Sequence, residues 1–324
     1  MRQFKNKEGE RIMDVITIGR ATVDLFANDY NVPLKEVNSF TKYLGGSPAN
    51  IATAIAKLGI KTGIISKVGM DACGEYVINY LKSNNVDTSN IFFDKKARTA
   101  IALGEIFPPD NFKVLFYREN SADLKLAIED IDENYIKKAK ILIVSGTALS
   151  RSPSREACLL AMKYAEKNNL KVIIDLDYRE ETWPSKEVAS VYLNLAMGKA
   201  DIVVGTKKEV AIATGFCNND YKEIMKRKKI NIFIVKDGKN GATAFTIKDT
   251  IKVPAFKVKV LNTVGAGDGF LGGFVYGLLN QFTIKKSLIY GSAVGAMAVK
   301  KQSCSDSYPD LKSLHKFLKD NTVG

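Results

Sequence analysis

Six short, β-branched apolar runs recur along this 324-residue chain, separated by helix-like sequence: Asp14–Gly19, Lys61–Gly69, Ile141–Gly146, Val172–Asp177, Ile202–Gly205 and Ile232–Lys236. Such runs are the pattern of central parallel strands, buried on both faces, rather than of half-solvated antiparallel ones. Alternating with helices, they make a βαβ series. The expected fold is therefore α/β, a three-layer α/β/α arrangement around a mostly parallel central sheet, with ligands gathering outside the carboxyl ends of the strands. The length suits one large α/β unit as well as two average domains. No linker or repeat divides the chain, so one domain over residues 13–320 is expected behind a charged leader at 1–12.

Two stretches break the rhythm. Residues 20–44 and 99–118 read as strands without an intervening helix, and Ala102–Phe107 and Phe112–Tyr117 flank the turn residues Pro108-Pro-Asp-Asn111 as in a β-hairpin. A small antiparallel sheet inserted into the main domain is expected, placed to act as a lid.

The single histidine, His315, lies near the end of the chain on a segment that reads as a polar helix. Ser-His-Asp, Cys-His and multi-histidine metal sites are thereby excluded. Cys73, Cys158, Cys217 and Cys304 are far apart, without a Cys-x-x-Cys, so reduced and mostly buried thiols are expected instead of a zinc ribbon or a redox pair. Catalysis must rest on carboxylates, lysine or arginine, backbone amides and a hard cation. No apolar run approaches the roughly 18 residues of a spanning helix, and the start has no apolar signal segment, so a cytoplasmic chain is expected. A composition of 46% hydrophobic and 26% charged residues is that of a globular protein. The net charge of +13 is spread over loops and helix surfaces. Its densest cluster, Lys226–Lys229, has no interleaved aromatics for base stacking, so neither nucleic acid nor a membrane is expected as partner.

Asn262-Thr-Val-Gly-Ala-Gly-Asp-Gly-Phe270 follows the strand-like Phe256–Leu261 and opens the apolar helix Phe270–Leu279. Closely spaced glycines let successive N–H groups approach one point, and the helix N-terminus adds partial positive charge there, which makes an anion site. It is not a dinucleotide fingerprint, because the third glycine would fall on Phe270, and no G-x-x-x-x-G-K-[ST] occurs. Asp268 sits oddly in such a loop. It either caps the helix or takes a proton from a hydroxyl that attacks a phosphoryl group. Earlier, Gly45-Gly-Ser-Pro-Ala-Asn50 precedes the small-residue helix Ile51–Leu58, and reads either as a tight turn packed through alanines or as a backbone surface for a polyhydroxy ligand.

The two loops, in this order, resemble the paired signatures of the ribokinase-like (pfkB) sugar kinases, and the likeness runs from Met13 to about Leu318. The resemblance implies ATP- and Mg²⁺-dependent phosphorylation of a primary sugar hydroxyl. Asp268 would be the catalytic base, with the amides of Gly265, Ala266 and Gly267 as anion hole. Asp24, Gly46 and Asn50 would hold sugar hydroxyls. Lys236 and Gly238 would lie beside the nucleotide phosphates. Family members usually carry Asn-x-x-Glu to organise Mg²⁺ through water; Thr206-Lys-Lys-Glu209 keeps Glu209 for the metal and places Thr206 where the Asn would stand. The late signature commonly begins with Asp, beside which several members bind a monovalent cation. Asn262 lacks that charge, so activity without potassium is expected.

Phe116–Asp123, Ser145–Leu149 and Asp175-Leu-Asp-Tyr-Arg179 with Trp183 are similar to family members that phosphorylate 5-dehydro-2-deoxygluconate in inositol breakdown, and the Asp-x-x-x-Arg element is shared with 2-keto-3-deoxygluconate kinases. Arg118, ending a lid strand, either offers a planar fork to a carboxylate or is a surface residue of the lid edge. Arg179, behind a strand's carboxyl end, is the other candidate. The reading is a kinase of a small sugar acid, homodimeric through its lid. A 2-keto-3-deoxygluconate kinase or fructokinase is the alternative within the family, and a non-catalytic sugar-binding or nucleic-acid-binding regulator the alternative outside it.

Overall fold

Isoleucine and valine fill both faces of a pleated ribbon, and all four residues of β1 (Val15–Ile18) are buried. The computed structural model describes residues 12–108, 111–215 and 220–321, so most of the charged leader and Cys217 lie outside the described residues. After β1 come β2 (Thr22–Tyr30), β3 (Phe40–Gly45), α1 (Ser47–Lys57), β4 (Thr62–Gly69), α2 (Ala72–Ser83), β5 (Val86–Asp94), β6 (Ile101–Phe107), β7 (Asn111–Tyr117) and the one-turn α3 (Glu133–Ile136). The chain continues through β8 (Ile141–Ser145), α4 (Ser154–Lys167), β9 (Lys171–Asp175), α5 (Lys186–Met197), β10 (Ile202–Thr206), α6 (Lys207–Thr214), α7 (Tyr221–Lys228) and β11 (Ile232–Lys236). It ends with β12 (Ala242–Phe245), β13 (Thr250–Val253), α8 (Ala266–Leu279), α9 (Ile284–Ala298) and α10 (Leu311–Asp320).

Nine strands form the main sheet in the order β13-β12-β11-β10-β9-β8-β1-β4-β5. From β11 to β5 all neighbours are parallel, with Val15 beside Thr62 on one side and Ile141 on the other. Only β12 and β13 run antiparallel. Helices α3 to α7 cover one face, over a core that includes Leu142, Ile174, Leu193 and Phe233. On the other face α1, α8 and α9 bury Ile51, Phe270, Phe274 and Leu288. Each such side chain stabilises the fold by about 1.5–3 kcal/mol. Among the described residues no helix is long and apolar enough to cross a membrane.

A second sheet, ordered β3-β2-β6-β7, stands over the carboxyl end of the first. It is not the all-antiparallel sheet expected. β2 pairs β6 in parallel, while β2–β3 and β6–β7 are antiparallel. The reason is topological: β2 follows β1 and β6 follows β5, so both leave the carboxyl ends of parallel strands and rise in one direction. The β6–β7 hairpin sets Phe107 opposite Asn111, and its turn at 109–110 lies outside the described residues. Phe256–Leu261, expected as a strand, joins neither sheet. Lys257 and Lys259 leave it a single apolar side, and Phe256 gives that side to Phe317 of α10, with ring centroids 5.2 Å apart.

Candidate active site

The carboxyl ends of β1, β9 and β11, the start of α8 and the underside of the lid enclose a cleft of about 610 Å³. This is where a parallel sheet collects ligands, since β1 is the strand from which the chain builds outward on either side.

Asp268 is held there on both oxygens. Gly265 is the N-cap of α8 with φ 73°, and a Cβ there would meet that of Cys304 at 2.7 Å, so only glycine suits the turn. Asp268, one turn in, is no cap. Its Oδ1 accepts from Ser47 Oγ at 2.7 Å and its Oδ2 from Asn50 Nδ2 at 2.9 Å, while Asn50 Oδ1 accepts from Ser305 Oγ at 2.8 Å. Ser47 and Asn50 lie on the first turn of α1, whose N-cap Gly46 has φ 93° and passes so close to Arg20 that a Cβ would stand 2.5 Å from its carbonyl oxygen. Two loops more than two hundred residues apart thus converge on one carboxylate. Burial raises its proton affinity, Asp177 adds to that, and Ser47, Asn50 and Lys236 oppose. An oriented carboxylate tuned upward is what general-base work requires.

Acidic side chains gather beside it. Asp175, at the end of β9, is pushed up by burial and by Glu209, Asp177 and Asp268, against the pull of Lys236, whose Nζ is 3.0 Å from Oδ1. Burial lowers the affinity of Lys236 for its proton, but Asp175 and Glu209 outweigh it. The same ammonium reaches the start of α8, where a Cβ on Gly267 would lie 3.1 Å from it. Glu209 is set by a capping box: its Oε2 accepts from Thr206 N at 2.6 Å while Thr206 Oγ1 accepts from Glu209 N at 3.3 Å. From the lid, Asp24 enters with its pKa raised to about 6 by burial.

Cationic groups face Asp177, just behind β9. Its Oδ1 is 3.3 Å from Arg179 Nε and its Oδ2 is 3.6 Å from Arg20 Nη2, and Ser145 Oγ and Thr147 Oγ1 donate to Oδ2 at 2.9 and 3.0 Å. Burial alone would raise Asp177, but Arg179, Arg20 and the two hydroxyls hold it below the ordinary carboxylate range.

Residues 13–311 match the pfkB family carbohydrate kinase pattern. The chain belongs to the pfkB family of carbohydrate kinases. It is 42% identical over 322 residues to the 5-dehydro-2-deoxygluconokinase of Geobacillus kaustophilus (strain HTA426), covering 97% of this chain and 96% of the relative. It is 43% identical over 309 residues to the protein of the same name from Listeria monocytogenes serotype 4b (strain CLIP80459), covering 94% and 95%. Among solved structures, the fructokinase with bound ATP from Xylella fastidiosa superposes with a TM-score of 0.86 at 25% identity, covering 96% of this chain and 99% of that one.

This pfkB kinase brings Asp24, Gly46, Asn50, Arg179, Glu209, Lys236, Gly265, Gly267 and Asp268 to one cleft. Ala266 is not among the lining residues, and its amide closes a turn onto Thr263 O at 3.3 Å. Thr206 and Gly238 also stand back from the cleft, Thr206 acting through Glu209. Asn262 is buried behind the α8 loop. The expectation for Arg118 needs correction. It neither meets the cleft nor lies on the surface: Nε and Nη2 both donate to Asp123 Oδ2, at 2.8 and 2.7 Å, and Nη2 also reaches Thr147 O at 3.1 Å. Five residues of local chain bring Asp123 back onto Arg118 before any ligand can. Arg20, Asp175 and Asp177 went unassigned from sequence, although each directly follows or ends a central strand, which is the signal that points to them.

Proposed function

We propose that this carbohydrate kinase is a cytoplasmic enzyme that uses ATP and Mg²⁺ to phosphorylate a primary hydroxyl of a small sugar acid, 5-dehydro-2-deoxygluconate, in inositol breakdown. The observation that carries the reading is Asp268, held on both oxygens by α1 at the N-terminus of α8 in a cleft that also contains arginine. Two relatives above 40% identity over more than nine-tenths of the chain bear the name of that activity.

In the reaction, the substrate hydroxyl gives its proton to Asp268 as its oxygen bonds to the γ-phosphorus, and the bond from that phosphorus to the bridging oxygen breaks toward ADP. The amides of Gly265 and Gly267, the α8 dipole and Lys236 face the charge of the transferring group. Bound Mg²⁺ supplies further neutralisation of the phosphates. The donor set fits it: Asp175 and Glu209 crowd carboxylates against a single lysine, and among the described residues no three metal-binding side chains are close enough to hold a bare ion, as suits a cation that keeps most of its water. Asp24, Gly46 and Asn50 take sugar hydroxyls and Arg179 the carboxylate. The lid excludes water. Its edge strand β7 leaves Leu115 and Tyr117 exposed, which supports pairing with a second copy, read by a solution mass twice that of the chain.

ATP consumption by the purified chain with 5-dehydro-2-deoxygluconate, 2-keto-3-deoxygluconate, fructose and ribose tests the assignment. The largest kcat/KM is expected on the first. A larger value on a neutral sugar refutes the acid substrate, and no consumption with any of them leaves a binding protein.

A further inference from the structure

Arg20 is buried like a structural arginine but is not held like one. It stands at the carboxyl end of β1, between the main sheet and the lid, with its side chain 7% exposed. Its ion-pair partner, Asp177 Oδ2, is 3.6 Å from Nη2, well beyond the roughly 2.7–2.9 Å of a charge-assisted hydrogen bond. That oxygen is already taken by Ser145 and Thr147, and the other oxygen of Asp177 faces Arg179. Among the described residues Arg20 Nε has no hydrogen-bond partner. Above the guanidinium lies the Phe116 ring of the lid, 5.4 Å away. Arg118 supplies the contrast, since its two donors close on Asp123 at 2.8 and 2.7 Å.

The anions near Arg20 do not close on it. Arg20 and Arg179 share Asp177, whose negative charge can offset one of them, and Arg118 is matched by Asp123. Asp24 attracts the guanidinium from a distance, but among the described residues it makes no ion pair or hydrogen bond with it and accepts instead from Thr22 Oγ1. A buried guanidinium with no close acceptor, lining a cleft that opens to solvent, is a site suited to an anionic ligand.

We propose that Arg20 acts with Arg179 as the carboxylate-recognising pair of the substrate pocket, and that Arg20 determines the preference for a sugar acid over its neutral counterpart. The inference rests on the sugar-acid reading above. Asp177 is the fixed post between the two guanidiniums, and Phe116 of the lid, already over Arg20, shields the new ion pair from water.

The test compares kcat/KM for 5-dehydro-2-deoxygluconate and for its neutral carboxamide in wild type, Arg20→Met, Arg20→Lys and Arg179→Met. Wild type should favour the acid by about 10- to 100-fold, the range of a charged hydrogen bond. Arg20→Met should bring the acid down toward the amide, mainly through KM, while ATP with Mg²⁺ still raises its unfolding temperature. Arg20→Lys keeps the charge without the fork, serves as the readout should the Met variant fail to fold, and should retain only part of the preference. An acid-to-amide ratio unchanged in both Arg20 variants but lost in Arg179→Met overturns the proposal and leaves the sugar-acid reading standing. A wild-type ratio near one removes that reading, and the proposal with it.

Discussion

Asn262 ties together the two loops behind the start of α8. Its Nδ2 donates to the carbonyls of Lys301 and Gln302 at 3.1 and 3.0 Å, its Oδ1 accepts from Val264 N at 2.9 Å, and the residue is 2% exposed. Where related kinases commonly carry an aspartate with a monovalent cation beside it, this chain satisfies the carbonyls with an amide. Wild-type turnover in buffer free of sodium and potassium should therefore stay within about twofold of that in potassium, because nothing is left for the ion to stabilise. The converse is expected of Asn262→Asp. It removes two hydrogen bonds and leaves two buried carbonyls facing a carboxylate at about 1–3 kcal/mol apiece, so the ion-free variant should lose about 2–6 kcal/mol. A cation bound at 100 times its Kd would restore about 2.7 kcal/mol. Urea unfolding and kcat, each measured in tetramethylammonium and in potassium, read both numbers. Many-fold stimulation of the wild type by potassium, or an Asn262→Asp variant equally stable in both salts, would refute the reasoning.

Asp268→Asn can keep an acceptor toward α1 and should fold, with kcat lowered about 100- to 10,000-fold; more than about a tenth of wild-type kcat would exclude Asp268 as base. Burial raises the pKa of Asp24 to about 6, so the stability it contributes is present below the ordinary carboxylate range and is lost as pH rises through about 6. Asp24→Asn, which mimics the protonated form, should therefore match the wild type at about pH 4 and exceed it above pH 6. The ceiling is about 3 kcal/mol, at about 1.4 kcal/mol per tenfold in proton affinity, reduced by water in the cleft. Urea unfolding across that pH range would show a constant gap if the carboxylate is unperturbed. Arg118→Met strands Asp123 in the interior and should cost about 3–5 kcal/mol of stability while leaving the acid-to-amide ratio as it was; the opposite pattern would return Arg118 to the substrate.

The main sheet was legible because burial on both faces writes itself locally, as in Val15–Ile18 and Ile141–Ser145, where every residue is apolar or small. The edge strand β5 was not, since Val86–Asp94 carries Asp, Ser and Asn on a half-solvated ribbon. The anion loop and Asp268 were readable because glycine spacing before an apolar helix has few other uses. Whether Asp268 caps or catalyses was not readable, because the answer lies in Ser47 and Asn50, far away in sequence. Arginines were hardest. Arg118 and Arg20 both flank lid strands, and nothing local says that one finds a partner five residues on while the other is left facing the cleft.

That difference gives the cleft its working principle. Asp177 adopts φ 30°, a conformation that costs a non-glycine residue energy, and two hydroxyls and two guanidiniums over-determine it there. Asp177 thereby sets Arg20 and Arg179 side by side on one carboxylate. Asp175, Glu209 and Asp268 are likewise held against one lysine that cannot neutralise all three. Two arginines on one carboxylate and three carboxylates around one lysine thus stand in one cavity, where Arg179 also feels Glu209, Asp268 and Asp175. A ligand set that brings a carboxylate to the first group and a hydrated cation with its phosphates to the second adds a counter-charge to each. The dipoles and charges that stabilise phosphoryl transfer are then already oriented, and reorganisation at the moment of reaction is small.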